Sequence, residues 1–452
     1  MQNYKKIELP RKPKYIKCAQ DIDIFELFQK IEKKFANCFI LESLGQHGQT
    51  SRYSVVGFGP KSIIRAKKNK LIIDDKEYQT KNPYYALREV IPQNYIARQY
   101  AGGLVGYINY EAVNYFEPAL SVKAHPDFDQ FMFGVYTDGL VLDKMTNEIF
   151  YFFYEKNRLN LVKQIIGADY KRPILKVKFL GYSSTEAEHK KGVEKIKKEI
   201  GLGNTFQCQL GFKGYYSVAG DVLQIYEKLR TVNPSPHMFY IKFAGTKLLG
   251  ASPELLFRLQ EGEMETFPLA GTINRGKTPA EDTRLARKLL NDPKEMAEHN
   301  MLIDLHRNDI GRVAEFGSVR VKKLMEIKKF SHVQHISSEI TGKLKKGEDM
   351  FSALASNFPA GTLSGAPKIQ SIKIIDQIEP EPRGPYGGAV GQFGFNGDCT
   401  FAIPIRSFFI KGNRGYAQAS GGIVYDSQPE KEFEEIKRKL AAMGEALAIF
   451  DK

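Results

Sequence analysis

From about residue 35 to residue 155 the chain passes through short extended runs rich in Tyr, Phe, Val and Gly, each closed by a turn signal. Segments 40–57, 71–74, 104–110, 131–142 and 148–154 read as strands, because β-branched and aromatic side chains fit a pleated, half-buried surface. The last two bracket Asp143-Lys144-Met145-Thr146-Asn147, a hairpin loop. Segment 171–185 reads as a connection between domains, leading into a helix over 186–200. Beyond it, strands are predicted at 205–214, 238–243, 390–395, 399–410 and 416–424, and helices at 279–290, 293–307 and 429–450. No internal repeat and no regular βαβ alternation is present. The pattern therefore predicts an α+β fold with antiparallel sheets, not a doubly wound parallel one. The expected division is 1–175 and 176–452.

The 452 residues are 42% hydrophobic and 26% charged, a globular balance that excludes collagenous and disordered classes. A chain of this size buries enough surface to keep water out of a reaction site. Cys18, Cys38, Cys208 and Cys399 show no C-x-x-C or zinc spacing, which points to a reducing cytoplasm. The polar first residues contain no signal-peptide core, and no run of about 18 apolar residues marks a membrane span. The net charge of +14 admits an anionic partner, including nucleic acid. The lysines are dispersed, however, and the compact basic run at 65–70 reads as a solvated turn. Neither a reading helix nor an aromatic RNA-binding signature accompanies them, so no nucleic-acid partner is expected.

Gly271 to Thr278 matches the phosphate-loop pattern G-x-x-x-x-G-K-[ST] letter for letter. Such a loop needs a buried strand before it and a helix carrying the Lys in its first turn. Here Pro268 interrupts the preceding run, and Thr278-Pro279-Ala280-Glu281 is itself a capped helix start with Pro in the first position. A stronger signal is paired carboxylates on helix faces. Glu295 and Glu298 are three apart, as are Glu432 and Glu435, and Lys439 lies four beyond Glu435. The apolar stripe Phe433, Ile436, Leu440, Met443 and Leu447 borders the second pair. Two such pairs form an oxygen-only set suited to Mg²⁺; alternatively Glu295 is a capping partner of Asp292, and Glu432 complements a helix dipole. Ala419-Ser420-Gly421-Gly422 lets backbone N–H groups approach an anion, and Gly384-Pro385-Tyr386-Gly387-Gly388 is a turn presenting one aromatic hydroxyl. Arg406, among alternating Phe401, Ile403 and Ile405, requires either an anionic ligand or an internal salt bridge.

Over residues 30 to 448 the chain resembles the chorismate-utilising enzymes, and within them the large (component I) anthranilate synthase branch. The motifs that carry the resemblance are Pro268-Leu-Ala-Gly-Thr272, Asp292-Pro-Lys-Glu-Met-Ala-Glu-His299, Asp304-Leu-His-Arg-Asn-Asp309, Gly361-Thr-Leu-Ser-Gly-Ala-Pro-Lys368 and Asp426-Ser-Gln-Pro-Glu-Lys-Glu-Phe-Glu-Glu435. The resemblance implies two intertwined domains with two large facing antiparallel sheets and outer helices. It also implies a lyase that converts chorismate and ammonia to anthranilate and pyruvate with Mg²⁺, in tryptophan biosynthesis. Carried over by residue, Glu298 and Glu435 would bind Mg²⁺, with Glu295 and Glu432 acting through water. Glu254 would protonate the departing hydroxyl and His335 would serve the elimination. Tyr386 and Arg406 would hold the enolpyruvyl carboxylate. Gly271, Thr272, Ser420, Gly421 and Gly422 would line the substrate, with Thr272 also counted as catalytic beside His335 and Glu254, and Lys439 would balance the carboxylates.

The resemblance further distinguishes family branches. Water-using relatives carry Lys where this chain has Gln207, which cannot act as a base. Aminodeoxychorismate synthases, the nearest alternative, carry Lys where this chain has Ala270. Thr362 and Ser364 also follow the anthranilate type. A tryptophan-inhibitor site is implied at Glu42, Ser43, Asn233, Pro234, Ser235, Pro236, Met238 and Phe239, with His237 in place of the usual Tyr and Gly211 where relatives often have Ser. No glutaminase motif is visible, so ammonia would come from a separate glutamine amidotransferase subunit (component II) in a hetero-oligomer.

Overall fold

The extended runs pair into two twelve-stranded sheets in the computed structural model of the chain, which describes residues 3–18, 22–44, 52–92, 100, 102–329 and 333–448. The order across the first sheet is Lys14–Lys17, Glu148–Phe153, Asp138–Asp143, Tyr53–Phe58, Asn37–Glu42, His237–Phe243, Thr246–Ser252, Ser407–Lys411, Arg414–Ile423, Gln207–Ala219 and Lys176–Tyr182. Across the second it is Leu269–Asn274, Val333–Lys343, Glu263–Thr266, Leu255–Gln260, Cys399–Ala402, Ala389–Gly394, Gly103–Ile108, Phe131–Tyr136, Ser62–Lys67, Lys70–Ile73 and Lys76–Gln79. Gly365–Ala366 joins the first sheet beside Gln207–Ala219, and Arg320–Lys329 joins the second beside Val333–Lys343. The ladders are antiparallel, and both sheets draw strands from each side of residue 175.

Strand alternation divides the apolar residues between two cores. In Asn37–Glu42, Phe39 points into the core between the sheets, together with Phe133, Phe257, Phe393 and Phe401 of the second sheet. Its neighbour Ile40 points outward into a second core, which it shares with Phe28, Tyr226, Ile436 and Leu440 of the outer helices. The Phe433–Leu447 stripe is buried throughout, which docks helix Pro429–Ala448 on the first sheet. Among the described residues no helix is long and apolar enough to cross a membrane.

Helices Pro279–Leu290 and Pro293–Gly311 begin where their caps predict. The Thr278 side chain accepts from Glu281 N, and the Asp292 side chain accepts from Lys294 N and Glu295 N. Four expectations fail. Segment 131–142 is not one strand: Phe131–Tyr136 lies in the second sheet and Asp138–Asp143 in the first, with Thr137 between them. Segment 171–185 is not a linker: Lys176–Tyr182 is an edge strand paired with Gln207–Ala219. Its lysines, which read as linker composition, are the charges by which an edge strand discourages further pairing. Segment 399–410 is not one strand: Cys399–Ala402 lies in the second sheet and Ser407–Lys411 in the first. Pro404 breaks the run, and the chain crosses between sheets there. The predicted 40–57 strand is two, Asn37–Glu42 and Tyr53–Phe58, with 45–51 outside the described residues.

Candidate active site

Two such crossings lie side by side. The chain leaves the first sheet after Ser252, turns at Pro253 and enters the second at Leu255; the other crossing runs from Ala402 to Ser407. They are stitched together by Ser252 Oγ donating to Ile403 O (2.7 Å), Ile403 N donating to Glu254 O (3.1 Å) and Ala251 N donating to Arg406 O (3.1 Å). Glu254 and Arg406 are therefore delivered into the space between the sheets. Burial pushes the Glu254 carboxyl up to about 8, against the opposing pull of a Thr362 hydroxyl (3.0 Å), the Arg406 charge and the Leu269 N–H. Arg406 has φ +51, off the strand region, where the sequence pattern predicted a strand residue. Among the described residues its guanidinium has no ion pair or hydrogen bond, so the internal salt bridge is not made. It remains charged and aimed at the same space as Glu254.

His335 comes from Val333–Lys343, whose ladder with Leu269–Asn274 shifts register between Ala270 and Thr272. Gly271, at φ +63, is the bulged residue. The bulge turns the Gly271 carbonyl toward His335 Nδ1 (2.9 Å), with Thr272 Oγ1 at 3.1 Å from the same nitrogen. A carbonyl can only accept, so Nδ1 carries the hydrogen and Nε2 is the basic nitrogen. Burial and the Arg406 charge hold the ring down near 4, neutral at physiological pH.

The phosphate-loop lookalike follows this strand and is already filled. Gly276 N donates to Asp282 Oδ1 (2.8 Å), Lys277 N to Glu281 Oε2 (2.8 Å), and Arg275 forks onto Asp282. Internal carboxylates take the backbone donors that a phosphate would need.

The helical glutamates meet across the strand pair Gln207–Ala219 and Arg414–Ile423. Gln207 Nε2 donates to Glu298 Oε1 (2.9 Å), and a β-carbon built on Gly422 would lie 2.4 Å from that same Nε2. A β-carbon on Gly421 would lie 3.3 Å from Glu432 Oε2 and 3.9 Å from Glu435 Oε1, and one on Gly271 would lie 2.9 Å from Glu295 Oε2. The glycines are required because the carboxylates approach the backbone itself. Burial, then the Glu298 charge, raises Glu295; burial and the Glu435 charge raise Glu432. Lys439 Nζ reaches Glu435 (2.7 Å) and the Ser420 carbonyl (2.9 Å). Among the described residues no three His, Cys, Asp or Glu side chains converge into a ready-made metal cage. The donor set still fits Mg²⁺, which takes one or two carboxylates and fills its shell with water and substrate oxygens. Mutual repulsion is what a cation would relieve.

The far wall closes the ring. The Tyr386 hydroxyl meets Ser420 Oγ (2.8 Å), which in turn donates to Gln209 Oε1 (2.9 Å). Gln209 N donates to Ser364 O (2.9 Å), and Thr362, two residues earlier, returns to Glu254. Sequence reasoning missed Gln209, although it is two residues from Gln207 and so on the same strand face. A β-carbon on Gly211, the next residue on that face, would meet Ser420 Cβ at 2.9 Å.

A separate cleft of about 1220 Å³ opens between the sheets and is lined by Glu42, Ser43, Pro236, His237, Met238 and Phe239 among others. Of the residues expected for an inhibitor site, Asn233, Pro234 and Ser235 lie outside its lining; the Ser235 carbonyl instead accepts Leu44 N–H (2.8 Å). Tyr226 (2.8 Å) and Arg230 (2.7 Å) hold Glu42, while the buried Ser43 hydroxyl has no hydrogen-bond partner among the described residues. Burial and the nearby Arg258 and Lys328 charges bring His237 down to about 4, so it presents a neutral ring.

Residues 36–445 match the family described as chorismate binding enzyme. An anthranilate synthase component 1 from Leptospira biflexa is 54% identical across 99% of both chains. The one from Methanothermobacter thermautotrophicus is 42% identical, covering 94% of this chain and 92% of its own. The crystal structure of anthranilate synthase component I from Streptococcus pneumoniae TIGR4 superposes with a TM-score of 0.78 at 31% identity, over 88% of this chain and 94% of that one. The menaquinone-specific isochorismate synthase of Escherichia coli, at 19% identity and a TM-score of 0.75, shares the fold. With its two crossings, its bulged glycine strand and its facing glutamates, the chain belongs to the chorismate-binding enzyme family, on the anthranilate synthase component 1 branch.

Proposed function

We propose that the chain is a lyase converting chorismate and ammonia to anthranilate and pyruvate, with Mg²⁺, as the first committed step of tryptophan biosynthesis in the cytoplasm. The observation that carries this reading is the buried Glu254 carboxyl, held up to about 8 beside a neutral His335 and an Arg406 with no ion pair among the described residues. An acid that keeps its proton at neutral pH suits protonation of a poor leaving group. Glu254 gives its proton to the ring hydroxyl, which departs as water while ammonia bonds to the ring carbon beside the carboxylate-bearing one. His335 Nε2 then takes the proton from that carbon. Its electron pair completes the aromatic ring, the ether bond to the enolpyruvyl group breaks, and the released enolpyruvate is protonated to pyruvate. Arg406, with Tyr386, holds the enolpyruvyl carboxylate. Gly271, Thr272, Gly421 and Gly422 keep the ring close to the backbone, and Lys439 offsets the carboxylate charge.

Glu298 and Glu435 would hold Mg²⁺ directly and Glu295 and Glu432 through water; the ion would supply Lewis-acid polarisation of the substrate carboxylate. Ala270 and Gln207 favour this reaction over aminodeoxychorismate formation and over water addition. The segment up to residue 175 supplies Glu42 and Ser43 to the cleft, which we read as a tryptophan-inhibitor site, and the segment from 176 carries the chemistry. Ammonia would come from a glutamine amidotransferase partner, as the component naming of the relatives suggests. The test is to incubate purified chain with chorismate, ammonium and Mg²⁺ and to measure anthranilate and pyruvate. Both should form and both should vanish with EDTA. An aminated product without pyruvate would move the chain to the aminodeoxychorismate branch.

A further inference from the structure

Behind the ring lies a buried charged pair, its guanidinium 5.8 Å from the centre of the Tyr386 ring. Arg383 and Glu379 are 2% and 5% exposed. Arg383 Nε donates to Glu379 Oε2 (2.8 Å) and Nη2 to Glu379 Oε1 (2.7 Å), a two-pronged grip. The remaining donors reach two backbone carbonyls, Nη1 to Leu363 O (2.5 Å) and Nη2 to Gln209 O (3.4 Å). Glu379 Oε1 also accepts Gly211 N–H (2.9 Å). The Arg383 carbonyl accepts the Tyr416 hydroxyl (2.8 Å), and the next residue, Gly384, donates its N–H to buried Glu111 (2.7 Å). The guanidinium lies 4.6 Å over the Tyr110 ring, whose hydroxyl meets Ser364 at 3.2 Å.

We infer that Arg383, braced by Glu379, is a positioning residue that registers three walls of the site at once: the 361–366 loop, the Gln207–Ala219 strand and the Tyr386 turn. Its most consequential grip is on Leu363 O, because the adjoining Thr362 supplies the hydroxyl on Glu254. The inference rests on the reading of Glu254 as the reaction's acid. Stability alone does not explain the pair, since a buried ion pair commonly stabilises no better than well-packed apolar side chains. What apolar residues cannot do is fix two carbonyls on separate segments at fixed angles. Arginine's planar fork can; lysine, a single point of charge, satisfies Glu379 but not both carbonyls.

The test compares Arg383→Lys, Thr362→Val and the double variant in the full chain, with ammonium as nitrogen source. Glu254 is faced by Thr362, Arg406 and the Leu269 N–H. Loss of the Thr362 hydroxyl removes a bond to the ionised form, so the acid holds its proton to higher pH. The alkaline limb of kcat should rise by about one pH unit in each single variant and no further in the double variant. In Arg383→Lys, kcat below the limb should fall about tenfold. The Glu254 carboxyl, followed by ¹³C NMR on glutamate-labelled chain and assigned with Glu254→Gln, should move in parallel. An unmoved limb and carboxyl in Arg383→Lys, with both moved in Thr362→Val, overturns the inference. So does an additive double variant. If Arg383→Lys does not fold, Glu379→Gln replaces it, with the same expected rise and the same refuting result. If the wild-type chain does not turn over chorismate, the functional reading falls, and the carboxyl titration still decides whether Arg383 sets Glu254.

Discussion

Replacing Glu254 by Gln separates what this carboxyl does for the reaction from what it costs the fold. Glutamine keeps the shape and can still accept from Thr362, but it has no proton to give. An acid at this position contributes about 10²–10⁴-fold, so turnover should fall by that factor below about pH 8, where wild type still holds the proton, and the gap should narrow above it. The stability effect has the opposite sign. In the unfolded chain the carboxyl ionises near 4.5, and in the fold it ionises near 8. Between those values the unfolded state releases a proton that the folded state retains, so wild-type stability declines as pH rises from about 4.5 through about 8. The interval corresponds to about 5 kcal/mol, an upper figure because a buried charge recruits water and relaxes its surroundings. A neutral amide in its place carries no such penalty. The variant should therefore melt close to wild type at pH 5 and several degrees above it at pH 9, by differential scanning calorimetry. A melting difference that stays constant from pH 5 to 9 would refute the assignment of a buried, proton-holding Glu254. Turnover within tenfold of wild type below about pH 8 would refute its role as the acid.

Glu298→Gln and Glu435→Gln should each abolish Mg²⁺-dependent turnover, by more than about 100-fold, and weaken Mg²⁺ binding measured by calorimetry; near-native activity in both removes the metal assignment. His335→Met should consume chorismate but stall before pyruvate release, with an aminated intermediate accumulating on chromatography; an unchanged anthranilate yield counts against His335 in the elimination. Gly271→Ala forces a β-carbon to within 2.9 Å of Glu295 Oε2 at φ +63 and should cost about 1–3 kcal/mol of stability as well as activity, read by denaturant melts; a neutral result would mean that the bulge relaxes freely. Ser43→Ala should weaken inhibition by tryptophan while leaving the ammonia-dependent rate within twofold, and superimposable inhibition curves would exclude the Ser43 hydroxyl.

The parts of this molecule legible in the sequence are those governed by neighbours in the chain. Helix Pro279–Leu290 matches its predicted bounds because Thr278 and Pro279 act within one turn, and the carboxylate spacing Glu295/Glu298 and Glu432/Glu435 follows from the helical repeat. The motifs likewise named Glu254, Arg406 and His335. The errors share a cause. Alternation of Phe401, Ile403 and Ile405 reads as one strand, but alternation reports which face is buried, not which sheet the strand joins. The edge strand Lys176–Tyr182 looked like a linker because its outer face meets solvent.

Sequence alone determined the antiparallel α+β class, the capped helices, the spacing of the paired glutamates, and the family. Only the tertiary structure decided that the chain crosses between sheets at both Pro253 and Pro404, and that Arg406 finds no internal partner among the described residues. It alone paired Thr362 with Glu254, 108 positions away, and put Arg383 behind both. The physical reason is range. Capping and periodicity act over a few residues, whereas the proton affinity of a buried acid is set by whichever groups packing brings against it, however distant in the chain.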